Sequence, residues 1–142
     1  MLKKIHDDEY ISIFIDDEKH LYIEDWKPTP KDGEKWKQLH QIGFDAIKKY
    51  KPYIYLSYTE NSTFTPTSEL NQWFIEEIVK QGINKIIKSG AIVLPKDFVV
   101  GLGMELLSEN IVNSLHLPVL FFTDREKALA WAEEQVEKFK SS

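Results

Sequence analysis

Hydroxyl side chains are concentrated in one segment of the chain, residues 57–73, which reads SYTENSTFTPTSELNQW. A phosphate on Ser62, Thr63 or Thr65 would meet free N–H groups and the positive end of a helix dipole. Its charge of roughly −2 would then change which partner binds. The same segment also suits a plain turn followed by a helix cap, so both interpretations stay open. The candidate residues for a switch or for partner contact are Ser57, Thr59, Ser62, Thr63 and Thr65.

The other residue types show no catalytic or metal-binding pattern. Leu106 stands where a third glycine would be needed after Gly101 and Gly103, so the G-x-G-x-x-G spacing of dinucleotide-binding loops fails. No serine lies in a G-x-S-x-G nucleophile motif. We therefore predict no catalytic residue, no metal site and no cofactor, and hence a protein that is not an enzyme. The four histidines lack the spacing of metal ligands: His6, His20, His40 and His116.

The charge pattern argues against a nucleic-acid partner. The chain of 142 residues has a formal net charge of −5, and Arg125 is its only arginine. Its lysines alternate with acidic residues and form no basic face of the kind that binds phosphate. Apolar runs are too short to cross a bilayer, the first residues lack the apolar core of a secretory signal, and cysteine is absent. We expect one cytoplasmic domain over residues 1–140, without membrane insertion.

Apolar residues recur along the chain with two different periods, one typical of strands and one typical of helices. YISIFID and HLYIEDW alternate with the period of two that is typical of strands and flank a polar turn, which predicts an antiparallel hairpin. Four helical patterns then alternate with three short apolar strands. This order predicts an α/β fold: a five-stranded mixed sheet with four helices, in which strands 53–58 and 118–122 lie away from a water-exposed margin. The predicted helix caps include Thr29, Thr65 and Thr123.

The third helix, which follows Asp97, is apolar on nearly every side. Residues 98–107, FVVGLGMELL, exceed the single stripe that a helix needs to pack on a sheet. The excess must be covered by a neighbouring helix, a second subunit or an apolar ligand. Trp26, Tyr58 and Phe64 are aromatic candidates for a small pocket or simply for the core. The predicted partner or ligand surface comprises Phe64, Phe98, Leu102, Met104 and Leu106.

Several features together resemble a known family: the hairpin ending at Trp26, the strand at 53–58, the helix carrying Trp73, and the motifs GINKIIKSGAIVLPKD and FFTDREKALAWAEEQ. Over nearly its whole length the chain resembles the small stand-alone bacterial SpoIIAA-like, or STAS-like, domains. In STAS domains that antagonise anti-sigma factors, a partner kinase phosphorylates a serine or threonine after a central strand, in an Asp-Ser-Ser-Gly-like setting. The hydroxyl segment lies at the matching place, although this chain has no Asp-Ser-Ser, and Ser57 stands where small relatives often carry aspartate.

The resemblance implies a SpoIIAA-like fold and a non-enzymatic, regulatory role. The protein would act by contact with a protein partner or with a second copy of itself. STAS domains are also similar to SEC14-like lipid carriers, and the third helix has surplus apolar surface. The alternative function is therefore the binding or carriage of a small apolar, lipid-like ligand.

Overall fold

A mixed sheet of six strands, hydrogen-bonded in chain order, forms the centre of the protein. The computed structural model describes residues 1–28 and 31–141, except for the side chains of residues 98–100 and 104. The first three strands pair antiparallel, and the third to the sixth pair parallel. The strands are β1 (Leu2–Asp7), β2 (Ile11–Asp16), β3 (Leu21–Trp26), β4 (Ile54–Tyr58), β5 (Ser89–Val93) and β6 (Val119–Phe122).

The helices are divided unequally between the two faces of this sheet. Strands β3 to β6 are added one after another in the same direction, and right-handed crossovers place the connecting helices on one face. The first four helices accordingly pack on one face, and the last helix packs on the other. No helix in the described ranges combines the length and apolar character that crossing a bilayer requires. The helices are α1 (Gly33–Tyr50), α2 (Ser68–Lys80), α3 (Ile83–Ile86), α4 (Phe98–Leu115) and α5 (Arg125–Lys140).

The predicted α/β class and the β2–β3 hairpin are confirmed, but the predicted numbers of strands and helices were wrong. The structure has six strands and five helices among the described residues, not five and four. The missed strand, β1, reads LKKIHD and is mostly exposed at the sheet edge, so it has no apolar alternation to reveal it. The missed helix, α3, is only four residues long. Short elements of this kind leave little periodic signal.

The predicted helix caps were also wrong. The Asp32 carboxylate caps α1 by accepting from the Lys35 N–H at 2.8 Å, and Thr29 lies outside the described residues. The Thr67 hydroxyl, two positions after the predicted Thr65, accepts from the Leu70 N–H at 3.2 Å. Asp124, next to the predicted Thr123, caps α5. In each case a nearby Asp or Thr competes for the same role, and aspartate caps at least as well as threonine.

The two strands expected away from the sheet margin have different positions. β4 lies between β3 and β5, as expected. β6 lies at the edge of the sheet, and its Leu120 and Phe121 are 45% and 37% exposed, so the expectation for residues 118–122 was wrong. An apolar run without alternation shows only that a strand is apolar on both faces. It does not reveal whether a further strand covers its edge.

Candidate functional site

Four side chains donate hydrogen bonds to the buried carboxylate of Glu24 on β3. Tyr22 Oη donates to Oε1 at 3.0 Å, and the Tyr55 hydroxyl donates to the same oxygen. Trp26 Nε1 donates to Oε2 at 2.6 Å, and Ser57 Oγ donates to Oε2 at 2.8 Å. An ionised carboxylate has about four acceptor positions. The four donors therefore occupy its full hydrogen-bonding capacity.

Strand register explains how the five residues meet. Alternation on β3 brings Tyr22, Glu24 and Trp26 to one face, and the parallel pairing with β4 places Tyr55 beside Tyr22 and Ser57 beside Glu24. The α1 helix leaves room for the Tyr22 hydroxyl at Gly43, where a Cβ atom would collide with that oxygen. Ser57 is thus a buried partner of Glu24.

The buried carboxyl group of Glu24 is held by neutral donors. Burial raises the pKa of Glu24, whereas the hydrogen bonds from the four donors act in the opposite direction. Within the described residues, Glu24 forms no ion pair. Burial and the neighbouring carboxylate also raise the pKa of Tyr22 and of Tyr55, so both phenols stay protonated donors.

His40 on α1 is the second buried ionisable group on this face. Its ring centroid lies 4.3 Å from that of Trp36, 4.6 Å from that of Phe74 and 5.2 Å from that of Trp26. Burial, together with the positive charge of Lys31, lowers the pKa of His40 to about 3. The imidazole is therefore neutral at physiological pH, with one N–H donor and one nitrogen acceptor.

A cavity of about 90 Å³ lies between the sheet and helices α1, α2 and α4, and it is partly open to solvent. Its enclosed volume suits several water molecules, and a molecule of one aromatic ring would occupy it together with its opening to solvent. Glu24 and His40 both line it. Within the described residues, neither the His40 ring nor the Ser62 hydroxyl, which also lines the cavity, has a hydrogen-bond partner. Its aromatic walls comprise Trp26, Trp36, Phe44, Tyr55, Phe64 and Phe74.

Small side chains on the central strands account for the empty space. The cavity-lining residues of β4 and β5 include Ser57, which pairs with Ile92, and Gly90, which pairs with Tyr55. The α4 helix covers them through Leu107, Ser108 and Ile111, which also line the cavity. A serine and a glycine cannot fill the distance between sheet and helix that the neighbouring tryptophan and phenylalanine side chains set.

The predicted switch residues separate into buried and exposed groups. Ser57 donates to Glu24, and Thr59 Oγ1 donates to the Val93 carbonyl at 2.6 Å. Ser62 is only 4% exposed and lines the cavity. Thr63 and Thr65 are exposed, so among the five candidates they are the two that a kinase could reach without local unfolding.

The described members of the predicted partner or ligand surface, Phe64, Leu102 and Leu106, do not all line the cavity. Phe64 lines the cavity together with Trp26, whereas Tyr58 packs with the α5 cluster on the opposite face of the sheet. Leu102 and Leu106 are 45% and 61% exposed on the outer side of α4. The side chains of Phe98 and Met104 lie outside the described residues.

Glu24, His40 and Lys31 were not predicted from the sequence as site residues. Glu24 lies in a strand pattern that also suits a surface position, and no local spacing links it to Ser57, 33 residues later. The available signal was the alternation of Tyr22, Glu24 and Trp26, which places a carboxylate between two aromatic side chains that carry donors. Within the described chain, no three histidine, aspartate or glutamate side chains come close enough to hold a metal ion.

Comparisons of the chain with protein-family models, with curated proteins and with solved structures gave no match. The candidate site therefore rests on its own geometry.

Proposed function

We propose that the protein binds a small, largely apolar molecule, about the size of one aromatic ring, in the cavity beneath α4. The observation that carries this proposal is the pair of polar side chains, His40 and Ser62, that face an aromatic cavity. They are only 8% and 4% exposed and have no hydrogen-bond partner among the described residues. The buried side-chain atoms without a partner do not include those of His40 or Ser62, so both polar groups can be reached from the cavity and would bond there to water or to a ligand.

Binding without catalysis is the form of the proposal that Glu24 favours. A general base must be able to reach and accept a proton of its substrate. The two oxygens of Glu24 already accept four hydrogen bonds from protein side chains. The carboxylate therefore forms part of the cavity wall and has no acceptor position left for a bound molecule.

A matched pair of α4 variants tests the proposal. Ile111→Trp fills the cavity, whereas Val112→Trp adds the same side chain at the neighbouring exposed position. We expect one-ring compounds such as 2-phenylethanol to bind wild type and Val112→Trp in calorimetric titrations, and Ile111→Trp to lose binding. Equal binding by all three proteins would contradict the cavity as the site.

The STAS-like kinship and the cytoplasmic, regulatory role form part of the same proposal. A hairpin that leads into alternating helices and parallel strands supports the kinship. The exposed Thr63 and Thr65, close to the cavity residues Ser62 and Phe64, support a phosphate-controlled version of ligand binding. Phosphopeptide analysis of the protein from growing cells tests it, and unmodified Thr63 and Thr65 under all conditions would argue against it.

Contact with a protein partner is a second candidate function, favoured by the exposed leucines on α4. Leu102 and Leu106 are one helical turn apart, so they form a small apolar ridge. If the ridge joins two copies, Leu106→Asp should convert a dimer to a monomer in light scattering. Val79→Asp, an equally drastic change at an exposed position of α2, should leave the dimer intact. A monomeric wild-type protein would remove this form of the proposal.

A further inference from the structure

We propose that the cavity selects a small aromatic carboxylic acid over neutral and amine analogues, and that Lys31 pairs with the carboxylate. This inference rests on the proposed ligand-binding function and names the chemical class of its ligand. The ring of the acid would lie between the aromatic walls, and the carboxylate would lie at the solvent side of the cavity.

The position of Lys31 supports an anionic group at that side. Lys31 Nζ lies 5.3 Å from the ring centroid of Trp26 and 5.5 Å from that of Phe64, and both rings line the cavity. Within the described chain, Lys31 is the one lysine or arginine among the lining residues. It is partly exposed, and burial lowers the pKa of its ammonium. A partly desolvated ammonium gains more from an anion than an exposed one does.

The same arrangement disfavours a cationic ligand, despite the carboxylate of Glu24. A ligand ammonium would need acceptor positions on Glu24, and four protein donors already fill them. It would also need the aromatic faces that attract cations. The Lys31 ammonium already lies over two of those rings, so a second positive charge would be repelled.

His40 and Ser62 supply the remaining hydrogen bonds. The positive charge of Lys31 contributes to the lowered pKa of His40, so the two side chains act on one another across the cavity. The neutral imidazole offers one N–H donor and the Ser62 hydroxyl offers another. A carboxylate accepts from such donors and pairs its charge with Lys31, whereas a neutral alcohol offers the ammonium only an uncharged oxygen as acceptor.

Three compounds with the same ring distinguish an anionic, a neutral and a cationic ligand: phenylacetate, 2-phenylethanol and 2-phenylethylamine. In calorimetric titrations of the full chain, we expect wild type to bind phenylacetate at least about tenfold more tightly than the alcohol, which is typical of one charge-assisted hydrogen bond. We expect the amine to bind most weakly. Lys31→Met and Lys31→Gln should abolish the preference for the acid. Lys35→Met should retain it, because Lys35 Nζ lies over Tyr10, outside the cavity.

Two outcomes overturn the inference and are distinguishable. If 2-phenylethanol binds but the acid is not preferred, or if the preference survives in Lys31→Met, Lys31 does not select the ligand, and the proposed function still stands. If none of the three compounds binds wild type, both the inference and the proposed binding of one-ring molecules fail.

Discussion

The two faces of the sheet differ in how completely they are filled: the face covered by α1 to α4 buries the larger apolar cluster and yet leaves a cavity. On the α5 face, Ala128 and Ala132 are fully buried and let the helix lie close to Leu56 and Val93. On the opposite face, bulky aromatic residues hold the helices away from Ser57 and Gly90, and a cavity remains. The alanines of α5 allow that helix to pack closely on the sheet, whereas Ser57 and Gly90 on the strands leave space beneath the helices of the opposite face. The open face is therefore the one suited to a ligand.

The charged groups of the two faces differ in the same way. On the α5 face, the Arg125 guanidinium forms bidentate contacts with Asp25 and with Glu60 at 2.8–2.9 Å and lies 4.4 Å from the Tyr58 ring centroid. These contacts raise the pKa of Arg125. On the cavity face, Glu24 accepts hydrogen bonds from four neutral donors. The first arrangement joins α5 to β3 and to the residues that follow β4, and the second leaves a buried carboxyl group beside the cavity.

The largest effect is expected from removing the Glu24 carboxylate. Glu24→Leu leaves four donors without an acceptor and should cost about 3–5 kcal/mol in urea unfolding. Glu24→Gln should cost less than about 2 kcal/mol, because the amide can accept from Trp26 and Ser57 and donate to the two tyrosine oxygens. Equal stability of the two variants would show that the hydrogen bonds of Glu24 do not hold this face together.

Overpacking should distinguish the filled face from the open one. Ala132→Leu adds three carbons to a fully buried position on α5 and should destabilise the protein by about 2–3 kcal/mol. Ile111→Trp directs its additional atoms into the cavity and should cost less than about 1 kcal/mol. Both are measured by urea unfolding. If Ile111→Trp is the more damaging change, the cavity face is as closely packed as the α5 face.

Acid should destabilise the cavity face through His40. The folded pKa of about 3 lies below the ordinary value of 6.5, so the unfolded chain binds the proton first as the pH falls. The neutral His40 imidazole therefore makes its full contribution to stability above pH 6.5. Between pH 6.5 and about 3, the free energy of unfolding falls by about 1.4 kcal/mol per pH unit. The expected loss from pH 7 to pH 5 is about 2 kcal/mol.

Two variants isolate this contribution. His40→Phe should flatten the acid side of the stability curve, and the difference from wild type isolates His40 because Glu24 is present in both proteins. His116→Asn, at an exposed position with φ of 53°, should keep the wild-type slope. An unchanged slope in His40→Phe would contradict a neutral buried imidazole.

A small effect is also expected at Arg125, on the better compensated face. Arg125→Met should cost about 1 kcal/mol at low salt, because the guanidinium is 37% exposed and its ion pairs are partly screened. The cost should shrink in high salt as screening increases. A loss that does not depend on salt would show that packing on Tyr58, and not charge, is the main contribution of Arg125.

Periodicity predicted the elements that bury an apolar stripe, and it failed where burial is incomplete or local. The β2–β3 hairpin and the parallel strands follow from apolar patterns, whereas β1, with two exposed lysines, has none. The resemblance to STAS-like domains predicted that Ser57 and Ser62 belong to a switch or partner segment. Both reach the candidate site, but as buried cavity residues.

The remainder of the site could not be predicted because it depends on tertiary register. Glu24 meets Ser57 only through the pairing of β3 with β4, and His40 faces the cavity only through the rotation of α1. The cavity itself is a difference between side-chain volumes on strands and helices that are distant in sequence. A single sequence contains those volumes but not their juxtaposition.

The most direct test of the account follows the indole N–H signals of the four tryptophans by NMR during a titration with 2-phenylethanol. Trp26 and Trp36 line the cavity, whereas Trp131 packs against Phe122 on the opposite face. We predict saturable shifts of the Trp26 and Trp36 signals and a stationary Trp131 signal. Stationary Trp26 and Trp36 signals, or an equal shift of Trp131, would contradict a ligand site on the open face of the sheet.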